Sequence, residues 1–316
     1  MKNDNHTVVA YFIFVGFSNL AELQKLLFVV FLLLHLVTLT TNATIMTIIR
    51  IDHTLHTPMY FFLCVLSFFE TCYTLVIIPK MLVDLLTENK TISFLGCAVQ
   101  MYFFLFLECS HSFLLGAMGY DCYVAICNPL HYTILMSKKA CAQLVTACCF
   151  SGFLVAQVVT TLVFRLPFHL PSRLNHFFCD ISPVLKLAFT RARLNYIIVF
   201  LLSLFVLMLP LLLILVSYIY ILIAILHIPS IAGRHKAFST CVAHLTVVVV
   251  HCGCASFIYM RPKSGYSSDQ DTMISVMYTI LTPLLSPMIY SLRNKEVKMA
   301  LKRAIGRNIF PKKFTQ

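Results

Sequence analysis

Seven stretches of mainly apolar sequence, each long enough to cross a lipid bilayer as a helix, decide what this chain can fold into. They lie near Leu26–Ile49, Pro58–Leu86, Ala98–Ile126, Ala140–Phe164, Tyr196–Leu226, Lys236–Tyr259 and Thr272–Leu292. A helix rises about 1.5 Å per residue, so about 20 apolar residues span the roughly 30 Å hydrocarbon layer. The second, third and fifth stretches exceed that length, an excess that tilt or protrusion absorbs. Pro79, Pro210, Pro283 and Pro287 fall inside spans. There, neighbouring helices can satisfy the carbonyls that proline frees. The connecting loops are too short for a separate soluble domain. The expectation is one all-α membrane domain: an N-terminal tail over 1–25, a seven-helix bundle over 26–292, and a C-terminal tail over 293–316.

Composition closes the alternative of a water-soluble fold. Of 316 residues, 59% are hydrophobic and 11% charged, against about 25% charged in an ordinary soluble domain. One core cannot hide that excess, so lipid must be the main solvent. The first stretch is about twice the length of a signal-peptide apolar region and follows a segment of about 25 residues, so it reads as a retained helix. The net charge of +12 sits in loops and the C-terminal tail. A membrane surface and a cytosolic partner account for it better than nucleic acid does. The 13 cysteines form no CxxC pair and no Cys/His cluster at metal spacing, and most lie in apolar runs as small buried hydrophobes. No metal or cofactor is expected.

With an inside C-terminus, thirteen of the 24 Lys and Arg residues lie on the cytosolic side, so charge barely sets the orientation. The glycosylation sequons Asn5-His6-Thr7 and Asn89-Lys90-Thr91 both fall outside if the N-terminus is outside. Their agreement places the N-terminus outside and the C-terminus in the cytosol. Between Asn294 and Phe310, Val297, Leu301 and Ile305 recur every four residues among Lys298, Lys302 and Arg303. That pattern predicts a short amphipathic helix lying in the membrane interface.

Four segments carry a family likeness. Leu55-His56-Thr57-Pro58-Met59-Tyr60 opens the second span, and Met118-Gly119-Tyr120-Asp121-Cys122-Tyr123-Val124-Ala125-Ile126-Cys127 closes the third. Lys236-Ala237-Phe238-Ser239-Thr240-Cys241 with His244 starts the sixth, and Ser286-Pro287-Met288-Ile289-Tyr290-Ser291-Leu292-Arg293-Asn294 ends the seventh. In order and spacing the chain resembles the olfactory receptors, a branch of the rhodopsin-like G-protein-coupled receptors. The resemblance implies a plasma-membrane receptor that binds small volatile or apolar odorants between its helices. It also implies activation of an olfactory-type stimulatory G protein, which raises cyclic AMP.

The resemblance also distributes roles. Phe104, Glu108 and Cys109 of the third span, Cys252, Ser256 and Tyr259 of the sixth, and Thr279 of the seventh are expected to line the ligand pocket. Asp121, Cys122, Tyr123, Tyr218, Lys236, His244 and Tyr290 are expected to form the switch facing the G protein. Cys97 and Cys179 match the family's disulfide. A second loop disulfide of relatives falls at His169 and Phe189, where both cysteines are missing. His176-Phe177-Phe178-Cys179-Asp180 resembles a metal motif proposed for the family. A thiol locked in a disulfide cannot ligate as thiolate, so no metal is assigned.

Ionisable residues inside spans are costly and by default functional. Glu70 stands where this receptor class carries an acidic, often sodium-linked residue, and His111 where olfactory receptors often have a second acid. The two can form a Glu–His pair in place of an ion, or be bonded independently. Glu108 replaces a small neutral residue of relatives. It can favour an amine by charge-assisted hydrogen bonding, or stay protonated through desolvation.

Departures from the family concentrate at switch positions. Its Asp-Arg-Tyr is Asp121-Cys122-Tyr123, and cysteine lacks the charge and the donor fork of arginine. Its Asn-Pro is Ser286-Pro287, its Phe-Tyr-Gly is His251-Cys252-Gly253, its Gly-Asn is Thr41-Asn42, and tryptophan is absent. A signalling-impaired receptor of the same fold is therefore the main alternative. A channel or transporter is disfavoured because the halves show no self-similarity. An enzyme is disfavoured because no HExxH or GxSxG occurs.

Overall fold

The computed structural model describes residues 11–17, 22–168, 173–188, 193–259, 274–293 and 295–309. Each apolar stretch forms a helix: α1 (Gln24–Ile51), α2 (Pro58–Leu86), α3 (Phe94–Cys127), α4 (Lys138–Phe164), α5 (Arg193–His227) and α6 (Ile231–Tyr259). The seventh, α7, is helical from residue 274, passes through a π-helical turn, Met277–Leu281, and runs on as Thr282–Arg293. The tail helix α8 spans Lys295–Ile309. Among the described residues, five helices are long and apolar enough to cross a membrane. Cys241–Ser256 and Ile274–Ile289 are shorter apolar stretches. The result is a seven-helix bundle, as the spans predict.

Local chemistry sets the boundaries. Pro58 begins α2, where its missing N–H costs nothing. The Ser93 hydroxyl accepts from the Gly96 amide at 3.0 Å to cap α3, and Ser137 caps α4 in the same way. Helix α3 is the hub and packs mainly on α4, α5 and α2. The α3–α4 contact depends on Gly152, where a Cβ would lie 2.2 Å from Ser110 Oγ and 2.8 Å from the Phe106 carbonyl oxygen. On the other side, Gly116 and Gly119 let Pro210 and Ile214 of α5 approach.

One end of the bundle is capped by a small sheet. Strand β1 (Tyr11–Phe14) pairs antiparallel with β2 (Thr91–Ser93), Tyr11 opposite Ser93, and parallel with β3 (Arg173–Leu174), Ile13 opposite Arg173. Phe12, Phe94 and Phe168 pack beneath it. Gly16 then passes so close to the 176–177 backbone that a Cβ would sit 2.8 Å from the His176 carbonyl carbon. The Cys97–Cys179 disulfide, with Cα atoms 5.5 Å apart, ties the same loop to α3. Gln100 reinforces it, accepting from the Cys179 amide at 3.0 Å and donating to the Val76 carbonyl at 3.1 Å.

At the open end, α8 docks under α1 and α2. Val297 and Ala300 are buried, while Leu301 faces outward; the side chain of Ile305 lies outside the described residues. The Tyr60 hydroxyl donates to Glu296 at 2.7 Å. Arg303 donates to Asp52 at 2.7 and 3.0 Å and to the Thr54 hydroxyl at 3.1 Å. Bonds from the Thr54 hydroxyl and amide, with the Arg303 guanidinium adding to them, hold the Asp52 carboxyl down at about 2.

Candidate ligand cleft and switch

Below the sheet, one cleft opens between α3, α4, α5 and α6. Leu105, Glu108, Cys109 and Ser112 of α3 form its inner wall. Val155 and Val159 of α4 face Phe200, Ser203, Leu204, Val206 and Leu207 of α5, with Ala255 of α6 and Ile181 of the disulfide loop closing the sides. Its non-atom space, open mouth included, is about 660 Å³. An apolar wall with a few placed polar groups is the usual make-up of a small-molecule site.

The polar groups are connected. The Tyr278 hydroxyl donates to Glu108 Oε1, and His251 Nε2 lies 3.4 Å from the same oxygen. Ser112 Oγ sits 2.9 Å from His251 Nε2, and the His111 ring stacks on His251 with centroids 4.6 Å apart. This network ties α3 to α6 and α7 at the level of the cleft.

The expected pocket residues divide. Glu108 and Cys109 line the cleft. Phe104 is fully buried against Tyr73 and Phe178 under the loop, outside the cleft wall. Thr279 is fully buried and donates to the Ser275 carbonyl of its own helix at 2.7 Å. Cys252 is half-buried and packs beside Leu207, Ala255 and Tyr278. Ser256 is half-buried and is not among the lining residues. The side chain of Tyr259 lies outside the described residues.

Glu70 and His111 are both buried, without a hydrogen bond between them. Ser286, whose hydroxyl donates to the Thr282 carbonyl at 3.0 Å, is the polar group beside Glu70. His111 turns to His251 instead.

Residues that sequence reasoning did not place in the site are Tyr278, His251 and Ser112, with the valine and leucine walls of α4 and α5. His251 carried a signal, as a polar departure inside an apolar span. Tyr278 carried none. The π-turn accommodates one extra residue, so regular helical periodicity does not predict that Tyr278 faces α3.

Toward the open end, two of the predicted switch residues, Tyr218 and His244, meet in a second network. His244 Nε2–H donates to the Leu115 carbonyl at 3.1 Å, which leaves Nδ1 to accept from the Tyr218 hydroxyl at 2.9 Å. Cys122 is buried beside Tyr218 and Cys241. Asp121 accepts from the Tyr132 hydroxyl at 3.0 Å, and Tyr123 packs against Tyr120 and Tyr220. The side chains of Lys236 and Tyr290 lie outside the described residues. So do Asn5, His169 and Phe189, whereas Asn89 is exposed beside β2.

Comparison with known proteins agrees with this geometry. Residues 31–308 match the olfactory receptor family. Human olfactory receptor 10K1 is 63% identical over 98% of this chain and 99% of its own length, and human olfactory receptor 10K2 is 63% identical over the same shares. Squid rhodopsin, at 15% identity, superposes with a TM-score of 0.67 over 94% of this chain and 89% of its own, a likeness of fold alone. With a seven-helix bundle, a capped cleft and full-length relatives in hand, the chain belongs to the olfactory receptor family of multi-pass plasma-membrane G-protein-coupled receptors.

Proposed function

We propose that the chain is an odorant receptor that binds a small, mainly apolar volatile in the α3–α4–α5–α6 cleft. Occupancy activates an olfactory-type stimulatory G protein and raises cyclic AMP. The observation that carries this reading is the cleft itself: apolar on α4, mainly apolar on α5, with Glu108 and Ser112 of α3 and Ser203 of α5 as the polar groups facing it. The disulfide, β1 and the exposed Asn89 share the capped end. Disulfides persist on the oxidising side, which supports an external N-terminus and cytosolic α8. At the cytosolic end, the Tyr218–His244–Leu115 link supports a switch between α5, α6 and α3 that a G protein can read.

The test is a cyclic-AMP concentration series against a broad odorant panel, with surface expression monitored, in the parent and in Val159→Trp. A filled cleft is expected to weaken the response to any active odorant tenfold or more at equal surface expression. An undiminished response in the filled variant removes this cleft as the binding site.

A second reading, the same receptor with weakened coupling, is favoured by one observation. Cys122 is buried among Tyr218 and Cys241 and offers no charged group to neighbouring helices or to a G protein.

A further inference from the structure

Resting on the receptor reading above, we infer that the ligand class is a small amine, whose ammonium group binds Glu108, and that the Tyr278 hydroxyl holds this carboxylate until the ligand arrives.

Glu108 is the acidic residue in the cleft wall, and its side chain keeps 13% of its surface exposed. Among the described residues its partners are the Tyr278 hydroxyl and the His251 imidazole, and no Lys or Arg forms an ion pair with it. Both partners converge on one oxygen, Oε1, and an ionised carboxylate has about four acceptor sites over two oxygens. The carboxylate is therefore partly solvated by the protein and still open to a further donor.

Charge decides the class of that donor. Glu108 lies in a low-dielectric setting with no Lys or Arg beside it among the described residues, and there an ionic interaction is strengthened several-fold over water. A hydroxyl-bearing ligand adds one hydrogen bond and brings no countercharge. An ammonium adds charge-assisted bonds and brings the countercharge that an ionised carboxylate needs there. The remaining wall, Leu105, Val155, Val159, Leu204 and Leu207, is matched by a short aliphatic or aryl body.

The same geometry links occupancy to the bundle. Tyr278, in the π-turn of α7, reaches α3 through Glu108 Oε1, whereas His251 of α6 lies 3.4 Å from that oxygen and is bonded to α3 at Ser112. An ammonium at Glu108 competes with the Tyr278 hydroxyl, so amine binding loosens the tie from α3 to α7. His251 stays tied to α3 through Ser112 Oγ, 2.9 Å from its Nε2. Tyr278 is thus a rival of the ligand, and removing its hydroxyl should help amines to bind.

Matched probes separate these claims. Linear C4–C8 amines with their alcohols, and benzylamine with benzyl alcohol and toluene, are titrated against purified full-length receptor, with ligand-induced thermal stabilisation as the readout. Cyclic AMP is followed in cells in parallel. In the parent, amines are expected to bind at least tenfold tighter than the matched alcohols. Glu108→Gln, which is isosteric, is expected to erase that preference. Tyr278→Phe is expected to tighten amine binding roughly three- to tenfold, a gain that misfolding cannot imitate.

Equal affinity for amines and alcohols, absence of stabilisation by any amine, or an unchanged amine curve in Glu108→Gln overturns the inference. If alcohols or toluene alone bind and raise cyclic AMP, the receptor reading stands and the amine class falls. If amines bind as expected without cyclic AMP, even in a Cys122→Arg background, the class stands and the signalling reading falls.

Discussion

At position 122 a thiol stands where the family's Asp-Arg-Tyr motif would place a guanidinium, and its surroundings define what the exchange removes. Cys122 is buried beside Tyr218 and Cys241, with Asp121 bonded instead to Tyr132. An arginine there has five donors and a permanent charge for Asp121, for the adjoining helices and for a G protein, whereas a thiol is a weak donor with no charge. The Tyr218–His244–Leu115 link survives, because it does not use residue 122. Coupling should therefore be weak while the fold is intact. Restoring the guanidinium with Cys122→Arg is expected to raise agonist-driven cyclic AMP several-fold at matched surface expression. Equal output from both proteins would show that the thiol is not what limits signalling.

At the scale of elements, α3 is positioned by what its neighbours lack. Gly152 of α4 lies against Ser110 and the Phe106 carbonyl, and a single added carbon would meet both inside contact distance. The Ser110 side chain can shift, but the Phe106 backbone cannot without moving α3. Overpacking of this kind costs about 1–3 kcal/mol. Gly152→Ala should accordingly lower the thermal midpoint of the detergent-solubilised protein, and Ser110→Ala added to it should restore only part of the loss. Full rescue would mean that the backbone contact is not limiting. Helix α7 makes a different point. Its π-turn at Met277–Leu281 brings Tyr278 onto Glu108 while Thr279 stays buried and bonded within the helix. Such turns recur at functional sites because they redirect one side chain without ending the helix.

For the whole molecule, the two ends are built from opposite chemistry. The open end is held by exposed charge, Asp52 with Arg303, and by Tyr60 with Glu296. The capped end is held by buried rings, a disulfide and three short strands. His176 lies beneath that cap. Burial pushes its imidazole down to about 3; a backbone hydrogen bond at Phe178 opposes the shift and Lys186 adds to it. Asp84 and Lys90 share the small cavity beside it, with Lys80 bonded to Asp84.

The unfolded chain protonates a histidine near pH 6.5, so below that pH it takes up a proton that the folded protein refuses. The contribution of a neutral His176 is complete above about pH 6.5 and is lost as the pH falls toward 3. Thermal midpoints measured from pH 7.5 to 5 should drop for the parent and drop less for His176→Gln. Parallel slopes would rule His176 out as the acid-sensitive group.

By itself, the sequence determined the solvent, the helix count and the family. Long apolar runs admit few arrangements once lipid surrounds them, and the four motif segments frame nearly the whole chain. The cysteine pair was legible through family likeness, as was the tail helix through its four-residue apolar recurrence. Only the tertiary structure decided which polar residues meet. Glu70 and His111 look like a pair along the chain, yet His111 stacks on His251. Phe104 shares a helix face with Glu108, yet it packs under the loop while Glu108 faces the cleft. Periodicity gives each side chain a direction around its own helix. It does not give the neighbouring helix that waits there, nor the one-residue shift of a π-turn, and these are set by how seven helices pack at once.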